Sequence, residues 1–529
     1  MEPTRGMTRR RLLGAGAVLG AGLGAGALLA GCGGSGPEGA GAAGPSGPTG
    51  PPQGGGTLRV GALGKAAAIT RDPHGTQSNE SDYLIIALTY DPLTVPGSPQ
   101  TVAPRLAAKW EPSADLRRHR FVLADGARFH NGAPVTAADV AWSLRRLRGT
   151  PSGAARLPGV QPGGIAEDGT NAVVLTSDYP NADLPLLLRL TTFVLPRDTP
   201  DAAINAGSVP GTGPFRLESY NAGNARLVRN ADWYGGAPLL DAIEVRIFTD
   251  PQAMANALFT GEIDVASNVG PVAARTAAGR DGVQVVRRPN DSALPLVMRV
   301  ADGPFAEPRV REALRLAVDR DALVAQALSG YGTVANDVLG TGDPQYARDL
   351  PQRRRDLDRA RSLLDAAGFD RAARYPLVTC EEAPGQGEAA TLIATQLREV
   401  GVNVDVVRQD QGTFYDQTWL KAPLYTAYWG TNDSVTFFAG KTMASGAGQN
   451  EAGQADPEFD AAYQRAVAFP DAAARAGALR ELQRMEYERS GYLLWGMADG
   501  VDLATAKVGG LPRLAGYGRV QLERTWLAA

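Results

Sequence analysis

The sequence predicts an α/β fold, a mixed sheet covered by helices, and three observations carry that expectation. Segments of helical and of strand periodicity alternate from residue 57 onward. Glycines punctuate them: a helical stretch from Glu388 to Val400 stops at Gly401, and Val402, Val404 and Val406 then alternate as a strand. With 44% hydrophobic and 21% charged residues in a chain of 529, there is ample material for a core.

The elements follow in order. Thr57-Leu58-Arg59-Val60-Gly61 starts a short strand. Asp139 to Arg146 reads as a helix with Thr136 as its N-cap. From Ala242 to Phe248, Ile243, Val245 and Ile247 alternate with Glu244 and Arg246, a strand with one wet face. Asp250-Pro251 opens a helix that ends at Gly261, because Asp caps and Pro suits the first turn. Glu262-Ile263-Asp264-Val265 returns as a strand. In Pro308 to Val318, Val310, Ala313, Leu314 and Ala317 form one apolar stripe, and Asp319 caps a second helix that ends near Gly330. Leu357 to Ala367 is helical, with Gly368 as its stop. Such helix–Gly–strand units build layered α/β domains.

The first 56 residues are of another kind, since 25 of them are Gly or Pro. A basic start, Thr8-Arg9-Arg10-Arg11, leads into uncharged Leu12 to Gly31, whose glycines suit a signal h-region better than a spanning helix. Leu29-Ala30-Gly31-Cys32 then resembles a bacterial lipoprotein signal, and the paired arginines with Leu12-Leu13 look like a twin-arginine export signal. That likeness implies removal of residues 1–31 and a lipid on Cys32. Residues 32–56 are too poor in apolar side chains to fold and read as a flexible tether. Three G-x-G-x-x-G matches fall there, none between a strand and a helix, so none marks a nucleotide site. Beyond residue 31 no stretch is long and apolar enough to span a membrane.

Several function classes are excluded or left without support. A net charge of −3 argues against a polybasic nucleic-acid binder. Two cysteines make no disulfide framework, and Cys380 reads as a small residue near a strand end. There is no G-x-S-x-G, no H-E-x-x-H and no phosphate-cradling G-x-x-x-x-G-K. His74, His119 and His130 are too few for a His-rich metal site, and no cofactor is expected. A glycosidase needs only two carboxylates about 5 Å apart, but Glu381-Glu382 fits a solvated loop pair. Chemistry is not announced, and an exported α/β chain without catalytic motifs is most economically a binding protein.

Five segments carry a closer resemblance. They are Ala107-Ala108-Lys109-Trp110-Glu111 running on through Asp125-Gly126-Ala127-Arg128-Phe129-His130-Asn131-Gly132 to Val140; Gly211-Thr212-Gly213-Pro214-Phe215 with Arg229-Asn230-Ala231-Asp232-Trp233-Tyr234; Ala257 to Val265; Val310 to Arg320; and Ala360 to Phe369. In that order they resemble the family 5 solute-binding proteins of ABC importers, which take up peptides, nickel complexes and related solutes. The resemblance implies a two-lobed, periplasmic-binding-protein-like clamshell of the long-chain type, with an extra subdomain on the first lobe. Lobe I would comprise residues 57–90, 201–289 and 501–529, the extra subdomain 91–200, and lobe II 290–500. It implies a monomeric receptor, not an enzyme, on the outer face of the cell membrane. The receptor would present an oligopeptide-like ligand to a membrane permease, with a sugar or metal chelate as the alternative cargo and a secreted hydrolase as the rival class. The motifs themselves read as turns, caps and core, and not as ligand contacts.

The ligand site implied by the resemblance lies around Tyr428-Trp429-Gly430-Thr431-Asn432-Asp433-Ser434. Trp429 matches the Trp of peptide binders. Asn432 stands where those binders carry an Asp for the peptide amine, and a shifted alignment gives that role to Asp433. An amide dipole is a poor partner for a buried ammonium, so peptide uptake turns on which residue takes the position. Aromatics cluster nearby, from Phe414 and Tyr415 to Phe437 and Phe438, and half or more of them are expected in the core. On the opposite wall stand Ser78, Asn79, Glu80 and Tyr83, which are equally an ordinary helix start. Pro289-Asn290-Asp291-Ser292 falls where the chain crosses between lobes, as hinge, ligand contact or both.

Overall fold

Two long strands, Val283–Met298 and Tyr492–Thr505, run antiparallel through the centre of the molecule. The computed structural model describes residues 47–529 apart from 65–69, 76–78, 98–100, 151–152, 154–155, 190–191, 222, 382, 432, 470–471 and 515–519. The signal segment, Cys32, most of the tether, Ser78 and Asn432 therefore lie outside the described residues.

The sheet extends to both sides of this pair. On one side the order is Val265–Ala266, Thr57–Leu63, Ala242–Phe248, Asn224–Arg229 and Phe215–Asn221; on the other it is Leu424–Thr426, Arg374–Thr379 and Asn403–Arg408. Thr57–Leu63 pairs parallel with Ala242–Phe248 over seven residues, and Arg374–Thr379 pairs parallel with Asn403–Arg408. Parallel neighbours need crossovers, and helices such as Glu80–Thr89 and Gln386–Arg398 supply and cover them. The result is the α/β, two-lobed fold. A separate four-stranded antiparallel sheet, Ala107–Pro112, Arg118–Leu123, Ala172–Ser177 and Val160–Glu167, has its own core with helix Ala137–Arg148 through Phe121, Val140, Leu144 and Leu175.

Local chemistry explains most element ends. Thr136 and Asp139 form a reciprocal capping box. Asp250, Asp319 and Asp356 each accept a backbone N–H three residues on, at helices Pro251–Phe259, Arg320–Ala327 and Leu357–Ala366. Cys380 is buried directly after strand Arg374–Thr379. Asp264 differs from the cap expected of an element end. Its carboxylate accepts from the Arg59 guanidinium and backbone N–H, and from Lys507 Nζ at 2.7 Å, so it ties three chain segments together. Burial raises its pKa, but these bonds outweigh that and hold it below the usual carboxylate range. The expected strand over Glu262 to Val265 is only Val265–Ala266, because the Glu262 and Ile263 N–H groups bond back to Ala257 O at the end of the preceding helix.

The diagnostic motifs are scaffold. A Cβ on Gly211 would meet Thr89 O at 1.9 Å, and one on Gly213 would meet Leu88 O at 2.6 Å. Gly213 O accepts from Asn230 Nδ2 and faces His130 Nε2 at 3.0 Å. Trp233 Nε1 and Tyr234 OH both donate to buried Asp91, which also holds Arg105. Arg105 spans to Glu523, so these distant segments close one buried polar network.

The two central strands are out of step at one place. Arg288 pairs with Gly500 and Ser292 with Ala498, so Pro289, Asn290 and Asp291 stand opposite Asp499 alone. Asn290 takes a left-handed backbone there (φ 55°), which Asn tolerates better than most residues. Fully buried Arg288 donates to Asp502 and lies 3.8 Å from Asp291. Gly500 fits beneath this group: a Cβ would lie 2.3 Å from Asp291 Oδ2 and 2.7 Å from Arg288 Nη2. Neither side chain can retreat without parting buried charges. Gly500→Ala is expected to cost about 1–3 kcal/mol, read as a lower midpoint in urea unfolding with an unchanged slope; an unaltered midpoint would show that the crossing has slack.

Candidate ligand-binding site

The bulge opens onto a cavity of about 560 Å³. Pro289 and Asn290 form part of its wall, with Thr333 and Thr431 beside them. Asn290 is fixed on every side: its N–H donates to Asp499 Oδ1 (2.9 Å), its Oδ1 accepts from Thr333 Oγ1 (2.7 Å), and its carbonyl accepts from Thr431 Oγ1. Thr431 N–H reaches Asp291 O at 3.2 Å. Short strand pairings with the central pair, by Gly332–Val334 and by Trp429–Gly430, bring those threonines to the bulge. Arg189 enters from just after the short helix Leu184–Leu187, and Tyr346, Arg348 and Gln352 also line the cavity. The volume suits a small solute or short peptide.

The residues singled out from sequence fall in three places. Asn290 lines this cavity, as does Thr431, which lies within the expected 428–434 stretch. Trp429, Tyr428 and Asp433 are not in its wall. Trp429 is half-buried: its Nε1 donates to Glu451 Oε2 (3.0 Å), and its ring meets Phe438 edge-on with centroids 6.1 Å apart. Tyr428 is exposed. Asn79 precedes helix Glu80–Thr89 but bonds Asp82 through its side chain, and Tyr83 is buried in the core with Leu58, Val60 and Phe215. Neither lines the cavity. Of the clustered aromatics, Phe414, Tyr425, Phe437 and Phe438 are buried in one apolar cluster.

Asp433 has its charge satisfied within the protein. Its Oδ1 accepts from Arg189 Nη2 at 3.1 Å and from Arg156 Nη1 at 3.3 Å. Burial raises the carboxyl, but Arg156, Arg189 and Lys441 outweigh it and hold the group ionised, below the usual range. Lys441 lies over the rings of Trp429 (4.8 Å) and Phe437 (4.9 Å), a cation–π arrangement. Burial and the neighbouring Arg156 push its ammonium down to about 7, against the pull of Asp433 and Glu451. Glu451 in turn accepts from Trp419 Nε1, Trp429 Nε1 and Tyr492 OH.

Sequence reasoning missed Arg156, Arg189, Lys441 and Glu451. One signal was present: Arg189 stands in the apolar run Leu184-Pro185-Leu186-Leu187-Leu188-Arg189, and a charge in such a run needs a partner. His74 is buried, with Nδ1 accepting from Arg146 and Nε2 against Phe193 O (2.9 Å). Burial pushes it down to about 4, so it stays neutral.

The fold and the cavity beside the bulge fit a two-lobed solute-binding protein. Residues 101–451 match the model of the bacterial extracellular solute-binding proteins, family 5, middle region. The chain belongs to that family. It is 28% identical over 314 residues to the glutathione-binding protein GsiB of Salmonella typhimurium, covering 58% of this chain and 61% of that one. It is 26% identical over 292 residues to a probable di/tripeptide-binding protein of Pseudomonas aeruginosa, covering 50% and 55%. The alignments thus span less than two thirds of these relatives' own length. Among solved structures, the periplasmic binding protein DppA of Helicobacter pylori, in complex with the peptide STSA, superposes with a TM-score of 0.79 over 90% of this chain and 98% of that one, at 20% identity.

The Lys441 ammonium gives this region a pH signature. Its pKa is lower folded than unfolded, so the folded state sheds the proton first and stability rises with pH from about 7 toward the unfolded lysine value, while below 7 both states hold the proton and the penalty is constant. Lys441→Met is expected to flatten that rise relative to the parent chain in thermal melts taken from pH 6 to about 9; parallel pH profiles would show that the amine is solvated.

Proposed function

We propose that this chain is an extracytoplasmic solute receptor that captures an oligopeptide-like ligand between its lobes and presents it to the permease of an ABC importer. The observation that carries the reading is the cavity of about 560 Å³ at the point where the two central strands pass between the lobes, walled by Asn290 and Thr431. Family membership supports it, as do the glutathione-binding and di/tripeptide-binding relatives. The bulge at Pro289–Asp291 serves as the hinge about which the lobes close, since a three-against-one mismatch concentrates bending in a few residues. Trp429, Tyr428 and Asp433 stand behind the wall and shape it, and Asn79 and Tyr83 support the first lobe.

The domain limits proposed are 57–90, 201–289 and 501–529 for lobe I, 91–200 for the extra subdomain and 290–500 for lobe II. The strand order on either side of the central pair supports this division. The receptor acts as a monomer without enzymatic activity, tethered by a lipid on Cys32. Among the described residues no helix is long and apolar enough to cross a membrane.

Small molecules that co-purify with the chain should be identified by mass spectrometry and added back in thermal melts. A peptide-like compound is expected among them, and at a hundredfold excess over its Kd it stabilises the chain by about 2.7 kcal/mol. A shift with sugars alone would overturn the peptide reading, and no shift with any solute class would overturn the receptor reading.

A further inference from the structure

The cavity carries charge of one sign. Among the described residues that line it, Arg189, Arg348 and Arg513 are charged, and there is no Asp or Glu. Behind Arg189, the Asp433 carboxylate is already held by both Arg156 and Arg189, with Lys441 close by. The acids around this group are engaged. Glu451 serves Trp419, Trp429 and Tyr492; Asp183 pairs with Arg475 and Thr436; Asp343 accepts the N–H groups of Gln345 and Val435.

A ligand ammonium would have to draw Asp433 away from two guanidiniums, leaving them buried and unbalanced. A ligand carboxylate needs no such exchange. Arg348 is already oriented, with its guanidinium over the Tyr346 ring and Nη2 donating to Thr341 O at 3.3 Å. A guanidinium has five N–H donors in a planar fork that matches a carboxylate. Both Arg348 and Arg513 are exposed, and cleft walls of low dielectric focus a field of one sign on an approaching solute.

We propose that the cleft selects an anionic, peptide-like solute whose carboxylates pair with Arg348 and Arg513 and face Arg189, and that it requires no free amino terminus. This rests on the receptor reading above. The test is calorimetric titration of the folded chain with three probes: N-acetyl-Ala-Glu, a dianion without an ammonium; Ala-Ala-Ala, a zwitterion; and Ala-Ala-amide, a cation. Affinity is expected to fall in that order, and the dianion's should weaken as salt is raised. Arg348→Gln and Arg513→Gln replace exposed side chains, so the fold tolerates them; each is expected to weaken the dianion by about threefold or more and to leave the cation unchanged. The proposal is overturned if the cation binds as tightly as the dianion, or if both variants hold the dianion undiminished. Binding of the cationic amide alone would sink the anionic selection and keep the receptor. Silence from all three probes and from a broad peptide library would sink both.

Discussion

Everything in this molecule hangs on one antiparallel pair, Val283–Met298 against Tyr492–Thr505. At 16 and 14 residues these strands are far longer than the usual five or six, because each serves both halves of the sheet. Through Val265–Ala266 the pair carries the first half, and through Leu424–Thr426 the second. A strand shared by two halves needs its register fixed, since a slip of one residue would invert every side chain on both. The bulge at Pro289–Asp291 pins it. The charges around the bulge follow from the same constraint: Arg287 on Asp499 and Arg288 on Asp502 lock opposite strands together where the ladder is interrupted.

The second organising device is the buried polar network around Asp91. Segments from four parts of the chain (Asp91, Arg105, Trp233-Tyr234 and Glu523) meet there. Burial alone would raise the Asp91 carboxyl, and its three donors offset part of that cost. Residues of this kind hold the architecture together and say little about cargo. None of the stretches that identify the family lines the cavity.

Much of the fold was legible because its signals are local. Capping Asp and Thr residues, stop glycines and period-two valines each act within a few residues, and helices Pro251–Phe259 and Leu357–Ala366 lie within a residue or two of where those signals put them. Asp264 was read as a cap because its neighbours suit one, whereas its partners Arg59 and Lys507 are set by strand pairing over long range. The site was legible only in part. Asn290 falls in the Pro289–Ser292 stretch that the resemblance puts at the crossing between lobes, and the cavity opens beside it. Tyr83 gave no warning that it faces the core, because the helix Glu80–Thr89 is apolar on nearly all sides.

The sign of the cleft's charge could not have been read from sequence at all. Asp433 stands near the position where peptide binders carry the acid for the amine, yet its carboxylate is met by Arg156 and Arg189, 277 and 244 residues earlier in the chain. Those arginines come from the part that follows strand Arg118–Leu123, and only the tertiary fold brings them to Asp433. An acid held by two guanidiniums in a low-dielectric interior is not released to a ligand ammonium without cost. Arg348 and Arg513 have the same sign, and among the described residues of the cavity wall there is no acid. In a fold whose scaffold is built by local signals, selectivity thus depends on which charges distant segments bring to the crossing.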